Sequence, residues 1–111
     1  MTDLEKLEDA TFRLKTQLQL AKDFGQHGFD FPENFTNQPF DVTEIERLVQ
    51  EHLTVILQSS VSRWNALLYT IDIPEKTLHN LNFSPENQLA ELTWMIIKRE
   101  AQKVYLKSRT W

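Results

Sequence analysis

The chain has 111 residues, 41% of them hydrophobic and 25% charged, with a formal net charge of −4 at neutral pH. A chain of this size supports one domain, here 1–111, that buries about two-thirds of its unfolded surface. Cysteine is absent, which excludes disulfide scaffolds, thiolate metal sites and cysteine nucleophiles and predicts a reducing compartment.

The opening residues carry acids where an export signal would carry bases, and nowhere do about eighteen apolar residues run together. The expectation is therefore a soluble, cytoplasmic protein with no membrane contact. Two glycines and four prolines are too few for a turn-rich β fold, so the predicted class is all-α.

Thr2-Asp3-Leu4-Glu5 reads as a capping box, the threonine hydroxyl accepting from a free backbone N–H while the glutamate reaches back. It predicts a first helix over 2–24, ended by Gly25. Leu4, Leu7, Thr11, Leu14, Leu18 and Ala21 recur at spacings of three and four, the seam of a heptad pattern. Residues 25–41 follow without helical period and hold both glycines, two prolines and Phe29, Phe31, Phe35 and Phe40. Long connections of this kind are commonly functional or pinned by their own side chains. A first helix tethered through this connection either packs on its own body or exchanges with a second copy as an arm.

Thr43-Glu44-Ile45-Glu46 is a second capping box, and no glycine or proline interrupts the chain from there to Ile71. Ile45, Leu48, Val49, Leu53, Ile56, Leu57, Val61, Trp64, Leu67, Leu68 and Ile71 make two overlapping stripes, which predicts a central helix with neighbours on two sides. Ser59 and Ser60 mark a close approach or a kink within it. Pro74 opens a short helix over about 75–81, and Ser84-Pro85-Glu86 starts a final one reaching about Lys107. The predicted architecture is a small helical bundle of three long helices plus one short helix, with a long Phe-rich loop after the first.

Trp64-Asn65-Ala66-Leu67-Leu68-Tyr69-Thr70-Ile71-Asp72-Ile73-Pro74-Glu75-Lys76, with Ile96-Ile97-Lys98-Arg99-Glu100-Ala101-Gln102-Lys103-Val104 further on, resembles a group of small helical proteins of Bacteroidetes-type bacteria. The resemblance covers the C-terminal sixty to seventy residues. It implies a bacterial, cytoplasmic helical protein and carries no activity, cofactor or functional residue with it.

The residues offer little recognisable catalytic chemistry. None of His27, His52 and His79 lies in a Glu-x-x-His or His-Glu-x-x-His pattern. Glu75 and His79 could share a helix face, whereas His52, beside Val49 and Leu53, reads as a half-buried histidine bonded to a polar neighbour. The serines lack a nucleophile elbow, and two glycines cannot build a phosphate-cradling loop. No cofactor or metal is expected, and an enzyme with an unrecognised site near His52 or His79 is the third-ranked reading.

Charge is distributed unevenly. Residues 98–111 hold five bases against one acid, while 1–97 hold seven bases against fifteen acids. Lys98, Arg99, Lys103, Lys107 and Arg109, interleaved with aromatics, have the residue types of a nucleic-acid surface, which makes a nucleic-acid accessory protein the second reading. The same cations also complement the negative end of a helix and can dock onto acids of their own or a second chain. The first-ranked reading is a non-catalytic interaction or structural module, with homodimerisation open. Its predicted contact surface is Leu4, Leu7, Leu14 and Leu18 of the first helix with Phe29, Phe31, Phe35 and Phe40 of the loop.

Overall fold

The computed structural model describes residues 6–59, 61–73 and 88–109, the side chains of 108 and 109 excepted. Helix α1 spans Ala10–Gly25, α2 Val42–Ser59, α3 Val61–Ile71 and α4 Gln88–Arg109, with a single 3₁₀ turn at Glu33–Thr36. The described residues contain no strand, and the architecture is an all-α helical bundle. The central helix α4 meets α1, α2 and α3, while α1 also packs against α3 and the 3₁₀ turn. The expected short helix over 75–81 and the Ser84-Pro85-Glu86 start lie outside the described residues, as does the Thr2-Asp3-Leu4-Glu5 box.

The first helix is shorter than the expected span of 2–24. The chain turns at residues 7–9, and Asp9 caps α1 by accepting the backbone N–H of Phe12 at 3.0 Å. A carboxylate at that position satisfies a donor that the helix itself cannot. Leu7 is buried in the core from within this turn, and the Lys6 ammonium lies 3.5 Å from the centre of the Tyr105 ring on α4. The segment is thus held against its own chain.

Gly25 does not stop the helix; it is its last residue. The reversal comes at Gly28, with φ 83. There the Phe29 N–H returns to the Phe24 carbonyl at 3.1 Å and the Gly28 N–H to the Gly25 carbonyl. This is a Schellman closure, in which the left-handed residue is ordinarily glycine because a side chain is strained there. It also brings two buried phenylalanines, Phe24 and Phe29, to either side of the stop. The end of α3 repeats the pattern, with Asp72 (φ 66) in the left-handed position and the Ile73 N–H returning to the Leu68 carbonyl.

The predicted rod over 43–71 is two helices. They are divided at residue 60, which lies outside the described residues and in the place that Ser59 and Ser60 mark in the sequence, and the Ser59 hydroxyl donates to the Ile56 carbonyl at 3.2 Å. Thr43 is not the cap either. The Asp41 carbonyl accepts from Glu44 and Ile45, so the threonine already lies within the first turn. Of the expected apolar residues on α2, Ile45, Leu48, Val49, Leu53 and Ile56 are buried, whereas Leu57 is exposed, as is Val55 outside that set.

The heptad seam of the first helix is also displaced. Leu18 is 44% exposed, Thr11 is exposed and Leu14 half-buried. The buried face is Thr16, Gln17, Gln19, Leu20, Asp23 and Phe24, most of it polar. Gln17 accounts for part of that choice. Its amide donates to the carbonyls of Phe35 (2.7 Å) and Gln38 (3.0 Å) and accepts from the Phe40 N–H at 2.7 Å. One buried side chain therefore satisfies three backbone groups of the Phe-rich connection, which loop backbone entering a core requires.

Candidate functional site

The predicted contact surface is largely spent inside the chain. Phe29 and Phe35 are buried, and Phe31 and Phe40 pack against the core half-covered. Phe31 stacks on Phe35 with ring centres 4.3 Å apart, and Phe24 and Phe40 add edge contacts to these two rings. With Leu7 also buried and Leu4 outside the described residues, Leu18 faces outward while Leu14, Phe31 and Phe40 do so in part. The four phenylalanines act as ties that hold the connection across the bundle, and α1 lies on its own body.

His52 belongs to the same cluster. Its ring contacts Phe24, Phe29 and Phe31, and Nε2 lies 2.9 Å from the Asp30 carbonyl. A carbonyl only accepts, so Nε2 carries the proton. Burial pulls the His52 pKa below its ordinary value, against the opposing influence of the Asp30 bond and the nearby acids Glu51 and Asp30, and a neutral ring suits the phenyl surroundings. His27 pairs with the Thr70 hydroxyl at 2.6 Å. His79 and Glu75 lie outside the described residues, among which no three or more His, Cys, Asp or Glu side chains are gathered to hold a metal.

The basic row of α4 turns toward the protein's own body. Arg99 donates to both the carbonyl and the carboxylate of Asp72, each at 3.0 Å, and so holds the left-handed end of α3. Lys103 reaches the Asp23 carboxylate at 2.7 Å and the Thr70 carbonyl at 3.0 Å. Lys107 donates to the Gln19 amide oxygen at 2.6 Å. Lys98 is exposed, and the side chain of Arg109 lies outside the described ones.

These bonds converge on a feature that the sequence reading passed over, a buried carboxyl pair where α1, α3 and α4 meet. Asp23 of α1 and Glu100 of α4 are both buried, Glu100 completely. Gln19, its oxygen engaged by Lys107, points its amide nitrogen at both Asp23 oxygens, 3.2 Å from each. Asp23 thus accepts from Gln19 and Lys103. Neither Glu100 oxygen has a hydrogen-bond donor among the described residues, and the Lys103 ammonium stands off at 3.8 Å.

Burial, then the Asp23 bond and charge, push the Glu100 carboxyl up to about 9, with Lys103 and Arg99 opposing. For Asp23 burial also acts upward, but bonds from Glu100, Lys103 and Gln19 and the Lys103 charge outweigh it, so its pKa falls below the ordinary value. The two carboxyl groups are thus shifted in opposite directions, Glu100 up and Asp23 down. Their oxygens are enclosed by protein.

A signal for Glu100 was present in the sequence. It falls between Ile96, Ile97 and Val104 on the apolar stripe of α4, where a charged residue is out of pattern. Elsewhere, a shallow and mainly apolar cleft lies between the end of α2 and the start of α4, lined by Thr54, Leu57, Gln58, Gln88 and Leu89. Comparison with protein-family models, curated proteins and solved structures returned no match.

Proposed function

We propose that this chain is a non-catalytic helical interaction module that associates with a second copy of itself through the outward faces of α2 and α3. Working in the bacterial cytoplasm is part of the same reading, resting on the resemblance of its C-terminal half and its lack of cysteine. No helix of the described residues is long and apolar enough to cross a membrane.

The observation that carries the proposal is where apolar surface remains. Six large hydrophobic side chains are exposed among the described residues, and four of them, Val55, Leu57, Val61 and Tyr69, lie on α2 and α3. That concentration distinguishes a contact surface from scattered exposure, which is ordinary. On α3 the contrast is sharp: Leu67, Leu68 and Ile71 are buried, while Val61 is 76% and Tyr69 88% exposed. The exposed Ser62 and Ala66 are small enough for another helix to approach closely. Meanwhile Arg99, Lys103 and Lys107 are engaged within the chain, which favours this reading over phosphate binding by α4.

Size-exclusion chromatography with light scattering tests it. The expected result is a mass that rises with concentration toward twice the 13.2 kDa chain and stays at one chain for Tyr69→Glu, with helical circular dichroism unchanged. A single-chain mass at every concentration up to the solubility limit contradicts the proposal.

A further inference from the structure

We propose that Asp23 and Glu100 hold one proton between them, and that this shared proton is a latch fastening α4 to α1 where α3 meets both. Two buried carboxyl groups gather around one ammonium, Lys103 lying 2.7 Å from Asp23 and 3.8 Å from Glu100. Ionising both acids would leave an uncompensated buried negative charge, which is costly enough that one of them takes up a proton instead.

Hydrogen bonding decides which. Asp23 already accepts from Lys103 and Gln19, so its ionised form is well served. Glu100 has no donor among the described residues, and at 3.8 Å the Lys103 ammonium is beyond hydrogen-bond length. A protonated Glu100 removes both difficulties, because it becomes a donor and Asp23 is the acceptor beside it. The two helices are then joined by a charge-assisted bond, the stronger kind.

The surrounding groups leave few alternatives for that proton. From α1 the site receives Asp23 and Gln19. From α3 it receives the Thr70 carbonyl, whose residue's hydroxyl pairs with His27 in the turn after α1. From α4 come Lys103 and, one step out, Arg99, which is bonded to Asp72, and Lys107, which is bonded to Gln19. On α2, Glu44, Arg47 and Glu51 pair with one another at the surface, and His52 is bonded to Asp30.

The pH dependence follows. Glu100 titrates near 4.5 when unfolded and near 9 when folded, so in that interval the folded chain carries one proton more than the unfolded chain. Stability from this group is greatest below about 4.5, falls as pH rises through the interval, and levels off above about 9. The folded-to-unfolded ratio changes by up to about tenfold per pH unit. Asp23 and His52, both lowered, act in the opposite sense, losing stability as pH falls.

The test compares wild type with Glu100→Gln, whose amide donates to Asp23 but does not titrate. Denaturant unfolding is measured at a series of pH values from about 5 to about 10. The wild-type folded-to-unfolded ratio is expected to fall relative to the variant by up to about tenfold per unit until about pH 9; parallel profiles would overturn the proposal. Infrared spectroscopy of the wild type supplies a second readout that does not depend on the variant folding. The carbonyl stretch of a protonated carboxylic acid is expected at neutral pH and lost above the upper end of the interval, and its absence at neutral pH would sink the latch.

Discussion

Gln17 shows how much one buried polar side chain can organise. It satisfies the carbonyls of Phe35 and Gln38 and the N–H of Phe40, and the Phe-rich connection lies across the bundle because those groups have a partner there. Gln17→Ala would strand three backbone groups and is expected to cost about 2 to 4 kcal/mol in urea denaturation. A loss below about 0.5 kcal/mol would mean that other donors and acceptors replace it. Sequence reading reached the apolar members of this region, since phenylalanines in a loop of low helical character have to be covered, and it placed His52 as a half-buried, bonded ring. It missed Gln17, Asp23 and Glu100. Whether a buried amide or carboxyl is tolerated depends on partners distant in sequence, here 18 to 23 positions for Gln17 and 80 for the Asp23–Lys103 pair.

Helix identity was legible from spacing, while helix ends and faces were settled by competition among signals. Thr43 resembles a cap, yet the Asp41 carbonyl takes the first helical bonds. On α1 the leucine repeat and the observed face differ by about one residue's rotation, because Gln17 and Asp23 must point inward to reach the loop and α4. That choice gives a direct test at this scale. Leu18→Ala is expected to change stability by less than about 0.5 kcal/mol, whereas Leu20→Ala, at a fully buried position, should cost about 2 to 5 kcal/mol. Equal effects would restore the heptad seam. Between α2 and α3 the apolar periodicity continues, and the place was marked in the sequence by Ser59 and Ser60 rather than by any hydrophobic signal.

For the whole molecule, the uneven charge of the sequence is resolved largely by internal docking. The basic end of α4 leans on one acid of α1, Asp23, and on Asp72 at the α3 terminus, so attraction between a basic tail and an acidic body is used to close the bundle. Four of the six large hydrophobic side chains exposed among the described residues lie on α2 and α3, and the proposed self-association rests on that concentration. The measurement that addresses it most directly is the change in backbone amide chemical shifts on dilution, followed residue by residue. Shifts concentrated around Val55, Leu57, Val61 and Tyr69, with α1 and the basic face of α4 unmoved, are the predicted result. Spectra that do not change on dilution, or changes confined to α1 and α4, would contradict it.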